Sequence, residues 1–216
     1  NEKTLIGRLH QYFLIYFETF SVPTADTLFL LILSILALES AHSIRFLYEH
    51  FLSGITEKSL TAFYYACSYA KVDYSNFMNI TARTALKLIP DPLKTHPVFL
   101  CVDDTMVSKS GKKFENVSKL FNHAAHNGSN YLNGHCFVSI MLCVPVLDHD
   151  KISYLSVPLG YGYRMWQKKE SKLELAASMI RQVMPEFLSK EHVIILCDSW
   201  YTKKNLVSII DEYPNL

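Results

Sequence analysis

The chain has 216 residues, of which 50% are hydrophobic and 19% are charged. This length and composition allow a sizeable buried core and exclude an intrinsically disordered protein. The formal net charge is only +1, so total charge does not indicate a nucleic-acid partner. The longest apolar run, residues 28–38, is shorter than the roughly 20 residues that a membrane helix needs, and we predict no contact with a membrane.

Apolar residues recur at helical spacing through residues 1–88, which predicts four or five helices. Three prolines, Pro90, Pro92 and Pro97, then mark a short linker. The pattern becomes strand-like after this linker. We therefore predict a helical domain over residues 1–92 and a second domain over residues 93–216.

The second domain is predicted to contain three strands, then helix, strand and helix. The strands cover residues 98–104, about 134–144 and 152–158, and the last three elements cover about 171–184, 192–197 and about 202–212. The fold class is accordingly α+β or α/β, with a mixed sheet. Five widely spaced cysteines, mostly within apolar runs, suggest buried thiols in a reducing compartment and no disulfide framework.

Carboxylates stand at the ends of two of these buried strands. Asp103 and Asp104 end the first, and Asp198 ends the strand at 192–197. A carboxylate in such a place carries a desolvation cost unless it is solvated, paired or bound to a cation. If the two strands were neighbours, their carboxylates would form a site for Mg²⁺. Side chains alternate along a strand, so only one of Asp103 and Asp104 should face that site.

Two basic segments lie in the same domain. The first contains Lys109, Lys112 and Lys113, and the second contains Trp166, Lys168 and Lys169. Lysines can neutralise phosphates, and an aromatic ring can stack on a base. Both segments could equally be solvated surface, a plain hairpin in the first case and a strand-edge cluster in the second.

Several short motifs in this domain resemble the catalytic domain of bacterial insertion-sequence DDE transposases. The resemblance covers about residues 98–216, and the helical region is similar to the amino-terminal domains of that family only in general character. The motifs are Val102-Asp103-Asp104-Thr105, Lys109-Ser110-Gly111-Lys112-Lys113, Asn122-His123-Ala124, Gly134-His135-Cys136 and Cys197-Asp198-Ser199-Trp200-Tyr201.

The resemblance implies a ribonuclease H-like sheet of the order βββαβα, in which the first and fourth strands are neighbours. It implies a two-metal phosphoryl transferase that uses Mg²⁺ (or Mn²⁺) to cut DNA at transposon ends and join them to a target. Asp103 is the expected first metal ligand, with Asp104 as its competitor, and Asp198 is the expected second ligand. The third acidic residue of the family is expected beyond Leu216, so the chain is predicted to be an incomplete portion that is inactive alone.

Other consequences of the resemblance concern partners and place. We expect the protein to bind double-stranded DNA, to form a homodimer in the synaptic complex, and to act in the bacterial cytoplasm, associated with the nucleoid when bound to DNA. The helical domain would then serve DNA binding or assembly, and the two basic segments would contact DNA.

Two other functions stay open. The chain could be a DNA-binding or assembly module with a vestigial acidic site, or a different ribonuclease H-like nuclease. A zinc site is less favoured, because the histidines His123, His126 and His135 with Cys136 lack a partnered Cys-x-x-Cys unit.

Overall fold

The computed structural model describes residues 4–39, 43–111, 115–121, 131–163 and 171–216. It confirms the α+β class and a mixed β-sheet. The chain divides into two compact units, Asn1–Asp73 and Tyr74–Leu216. No helix in the described ranges combines the length and the apolar character that a bilayer crossing requires.

The first unit consists of helices. Three of these helices are each capped by a hydroxyl side chain that accepts a hydrogen bond from a backbone N–H three residues later. The capping residues are Thr4, Ser43 and Ser59. Leu52 and Phe63 are fully buried at the centre of a small apolar cluster. In the described residues the helices are α1 (Leu5–Phe17), α2 (Val22–Leu38), α3 (Ile44–His50) and α4 (Leu60–Tyr69).

The second unit begins with a helix and continues into the sheet. Its helices are α5 (Tyr74–Leu86), α6 (Lys172–Val183) and α7 (Lys204–Val207), the last being a single turn that leads into the 3₁₀ helix Ser208–Glu212. Its strands are β1 (Val98–Ser108), β2 (Ser118–Phe121), β3 (Tyr131–Asp148), β4 (Lys151–Tyr163) and β5 (Val193–Cys197).

The sheet has the strand order β4-β3-β1-β5, and the short β2 pairs with the first residues of β3. β3 runs antiparallel to β1, β2 and β4, whereas β1 and β5 are parallel. A two-residue turn at His149 and Asp150, both with positive φ, joins β3 to β4. Such turns match the natural twist of a hairpin, which lets both strands extend well beyond the predicted ranges.

Helices α5 and α6 pack on one face of the sheet, which we call the helix face. It is lined by alternate residues of the central strands, among them Leu100, Val102, Val138 and Ile140, all buried against α5 and α6. The other face, which we call the open face, carries side chains that stay partly exposed. On β1, β3 and β5 these are Phe99, Cys101, Met141, Cys143, Ile194 and Leu196.

Helix α5 groups with the sheet in this structure. Its residues Met78, Ala82 and Ala85 are buried in the same cluster as the strands. The first compact unit therefore ends at Asp73, whereas the prolines near residue 92 suggested a later boundary. Because α5 has ordinary helical periodicity, the sequence could not show whether its apolar face packs on helices or on a sheet.

Candidate active site

Asp103 and Asp198 lie at the same edge of the sheet. β1 and β5 pair in parallel register up to Val102 opposite Cys197, and each aspartate is the next residue in its chain. Both aspartates are exposed. Continued alternation along β1 places Asp103 on the open face with Phe99 and Cys101. The same alternation along β5 places Asp198 on that face with Ile194 and Leu196.

Asp198 begins a 3₁₀ turn, Ser199–Tyr201, and caps it. Its Oδ1 accepts hydrogen bonds from the Ser199 hydroxyl at 3.0 Å and from the backbone N–H of Trp200 at 3.2 Å. The Trp200 N–H, followed by the Ser199 hydroxyl, holds the pKa of Asp198 below its ordinary value. The carboxylate therefore stays ionised to a more acidic pH than an ordinary aspartate does.

Asp103 has a local contact with its own neighbour. Its Oδ1 accepts a hydrogen bond from the backbone N–H of Asp104 at 2.8 Å, and its carbonyl accepts one from the Ser139 hydroxyl at 3.2 Å. Both contacts come from the sheet itself, so they orient the residue while its side chain stays exposed to solvent.

Asp104 occupies a very different environment. Its side chain is 15% exposed, and Oδ1 accepts a hydrogen bond from the Tyr201 hydroxyl at 2.9 Å. Its Oδ2 lies 2.7 Å from the Lys172 ammonium and 3.7 Å from the Cys136 thiol. Lys172 also lies 4.9 Å from the centre of the Trp200 ring. Asp104 is thus a carboxylate on β1 whose charge is balanced by Lys172, the first residue of α6.

The sequence indicated part of this arrangement. Tyr201 belongs to the motif that ends β5, but nothing in that motif showed that its hydroxyl reaches Asp104. Lys172 follows the second basic segment in the sequence, and its partner lies 68 residues earlier in the chain. A long-range pair of this kind has no local sequence signal.

The predicted DNA contacts are mostly outside the described residues. Lys112, Lys113, Trp166, Lys168 and Lys169 lie there, as do His123 and His126. Lys109 follows β1 directly, and its backbone N–H donates to the carbonyl of Asn133 at 2.9 Å. This bond continues the pairing of β1 with β3 beyond the carboxylates.

The described part of the chain shows no ready-made cluster of metal ligands. No group of three or more histidine, cysteine or acidic side chains there is arranged to hold an ion. His135 has Nε2 at 2.7 Å from the carbonyl of Glu115, and its neighbour Cys136 is buried toward Asp104. These two residues point to opposite faces of β3, which disfavours a shared zinc ion. Asp103 and Asp198 are a pair with the oxygen ligands that Mg²⁺ prefers.

The chain matches no protein-family model, and no curated protein shows significant similarity to it. The indications of function therefore come from the residues and geometry at this edge of the sheet.

Proposed function

We propose that this protein is a DDE-type DNA transposase in which Asp103 and Asp198 hold Mg²⁺ or Mn²⁺ for cleavage and strand transfer at transposon ends. One observation carries the proposal. The parallel pairing of β1 with β5 brings to one sheet edge two carboxylates that are about 95 residues apart in the chain. The motifs that resemble transposases contain both of these residues.

The strand order supports the same proposal. Three strands, β1, β3 and β4, form an antiparallel meander, α6 follows, and β5 then returns parallel to β1. This is the arrangement that the ribonuclease H-like resemblance implies. The short β2 is an addition on the outer side of β3 and leaves that order unchanged.

The two exposed aspartates suit a hard divalent ion. Their oxygens are solvent-accessible, so a DNA phosphate could approach the same ion from the open face. Asp104 fits less well, because Lys172 already balances its charge. With a pair of ions bound, one would activate water or a 3′-hydroxyl and the other would stabilise the leaving oxygen. Asp103 and Asp198 would hold the ions.

The lysines supply the second part of the proposal. Lys109 extends from β1 a few residues beyond the carboxylates, and we assign phosphate contacts to it and to Lys112, Lys113, Lys168 and Lys169. Trp166 would stack on a base near the cleavage site. Double-stranded DNA is then the partner, bound by a homodimer that pairs the two transposon ends.

The test uses the complete gene product, duplex DNA with the terminal sequences of the element, and Mg²⁺. Metal catalysis is worth several kcal/mol, and each 1.4 kcal/mol is about tenfold in rate. We therefore expect Asp103→Asn or Asp198→Asn to lower cleavage at least about a hundredfold while end binding persists. Asp150→Asn is the matched control, because Asp150 lies in the β3–β4 turn, where asparagine tolerates positive φ.

The outcomes separate the candidate functions. Cleavage without joining of ends to a target would indicate a nuclease. Binding of end DNA with no cleavage by the unaltered protein would indicate a DNA-binding or assembly module. If Asp104→Asn abolishes cleavage and Asp103→Asn does not, Asp104 is the metal ligand and the assignment between these neighbours is wrong.

A further inference from the structure

Three sulfur-containing residues occupy neighbouring positions on the open face of the sheet. The Sγ atoms of Cys101 and Cys143 lie 3.8 Å apart, across the β1–β3 pairing. Met141 is the register partner of Cys101 and lies two residues before Cys143, on the same face. These residues are separate from the carboxylates to which we assign the divalent ion.

All three residues are partly exposed to solvent. Both cysteines are partly exposed, and Met141 is 37% exposed. Register neighbours on the open face, such as Leu196 at 46% exposed, leave this side of the sheet accessible. The Ser156 hydroxyl, at 3.4 Å from the Cys143 thiol, adds a polar atom beside the pair.

The spacing of the two thiols suits a shared metal ion. Metal–sulfur bonds of about 2.3 Å place two sulfur ligands about 3.8 Å apart at a tetrahedral centre and about 4.0 Å apart at a trigonal one. Thiolate and thioether ligands are soft, and they favour Cu⁺ over the hard cations that carboxylates bind. A methionine beside two cysteines distinguishes this set from a typical zinc site, where nitrogen and thiolate ligands predominate.

We propose that Cys101, Cys143 and Met141 form a binding site for a soft monovalent metal ion of the Cu⁺ class. Binding forms metal–sulfur bonds with the two thiolates and the thioether. The two thiol protons are released to solvent, and no electron is transferred. The ion would lie on the same face as Asp103, about 7 Å along β1 from that residue.

The first experiment is an anaerobic titration of the full chain with Cu⁺ in competition with a chromophoric Cu⁺ chelator. We expect one ion per chain. Cys101→Ser or Cys143→Ser should weaken binding by more than about tenfold, the lower bound for disturbing even an outer-shell partner. Cys67→Ser is the control, because Cys67 is an exposed thiol in the helical unit, and this variant should bind like the unaltered protein.

Met141→Leu tests the choice of metal. Leucine keeps the volume of the side chain but removes the thioether sulfur. It should weaken Cu⁺ binding while leaving binding of Zn²⁺ to the two thiolates unchanged. Equal Cu⁺ affinity in Met141→Leu and the unaltered protein would remove the methionine from the proposal.

A second measurement needs no substitution. Cu⁺ should protect Cys101 and Cys143 of the unaltered protein from alkylation, as mapped by mass spectrometry, while Cys67 stays reactive. If Cu⁺ protects neither cysteine, or binds equally well to folded Cys101→Ser and Cys143→Ser, the proposal is wrong. Neither readout involves DNA cleavage, so the result is independent of the proposed transposase activity.

Discussion

Asp103 and Asp104 are neighbours in sequence with opposite surroundings. Strand alternation turns the first toward solvent and the second toward the start of α6, where Lys172 and Tyr201 meet it. One acidic residue is thereby available to a ligand, and the other is fixed within the protein. A single strand thus carries an exposed carboxylate and a charge-compensated carboxylate at consecutive positions.

The bond from Tyr201 to Asp104 is the first contact to test. Tyr201 is 1% exposed, and its hydroxyl donates to a charged acceptor. We expect Tyr201→Phe to lower the free energy of unfolding by about 1.5–3 kcal/mol, the usual range for a hydrogen bond to a charged group. Chemical denaturation at pH 7 measures the change. Tyr154→Phe is the control, because its hydroxyl makes a longer bond of 3.4 Å to the carbonyl of Pro97.

The same residue predicts a pH dependence. Burial, followed by the bond to Asp104, raises the pKa of Tyr201 above its ordinary value of 10.0. A raised pKa means that the stabilisation is complete below pH 10 and is lost as the pH rises above it. Between about pH 10 and 12, unfolding free energy should therefore fall more steeply in the unaltered protein than in Tyr201→Phe. Parallel curves would contradict this assignment.

Among the elements, β3 organises the second unit, because it pairs with β1, β2 and β4. Gly134 on β3 pairs with Ser108 of β1 on one side and with Ser118 of β2 on the other. A Cβ atom at this position would lie 2.2 Å from the backbone carbonyl oxygen of Val107. Backbone on β1 cannot move aside as a flexible side chain could, so this position requires glycine.

Gly134→Ala should therefore be destabilising. We expect a loss of about 1–3 kcal/mol in the free energy of unfolding, as for other insertions into close-packed regions. Gly54→Ala is the matched control, because a Cβ there meets nothing within 4 Å. The control should be neutral or slightly stabilising. Thermal unfolding of both variants measures the difference. Equal melting temperatures would show that the backbone of β1 can shift away from Gly134 at little cost in free energy.

The sequence predicted the main elements because their signals are local. The apolar runs of β1 and β5 and the helical spacing of α6 each lie within a short window. It missed β2, whose four residues, Ser118–Phe121, show no distinctive alternation, and it predicted one long helix where a single turn and a 3₁₀ helix occur. The placement of Asp103 and Asp198 at one edge came from the resemblance to a fold. The contacts of Asp104 depend on packing between distant segments, which no local pattern encodes.

At the scale of the molecule, the two compact units have separate cores. The cluster around Phe63 belongs to the helical unit, and the cluster that covers the helix face includes α5. Residues 70–73 between the units lie outside helices and strands. This organisation predicts that the second unit depends on α5 for its stability.

Two fragments test that dependence. A fragment of residues 74–216 should fold, whereas residues 93–216 should not, because the second lacks Met78, Ala82 and Ala85 from the buried cluster. Circular dichroism and thermal unfolding of both fragments measure the difference. Cooperative unfolding of 93–216 would instead support a domain boundary at the prolines.

The DNA proposal also has a measurable consequence for the whole molecule. If Lys112 and Lys113 contact phosphates, changing both to alanine should reduce the logarithmic salt slope of DNA affinity by up to about two units. The loss should be similar for any DNA sequence, since phosphate contacts do not read bases. The control is the double variant Lys58→Ala, Lys71→Ala in the helical unit. If the salt slope of DNA affinity changes only in this control, the phosphate contacts lie in the helical unit.

The parallel pairing of β1 with β5 also has a kinetic consequence. The β3–β4 hairpin closes over two residues and can form within microseconds, but β5 must find β1 across about 95 residues. Until it does, one edge of β1 is unpaired and exposes backbone N–H and C=O groups to any other extended segment. Pairing of β5 with β1 therefore both completes the carboxylate pair and removes a surface on which newly made chains could aggregate.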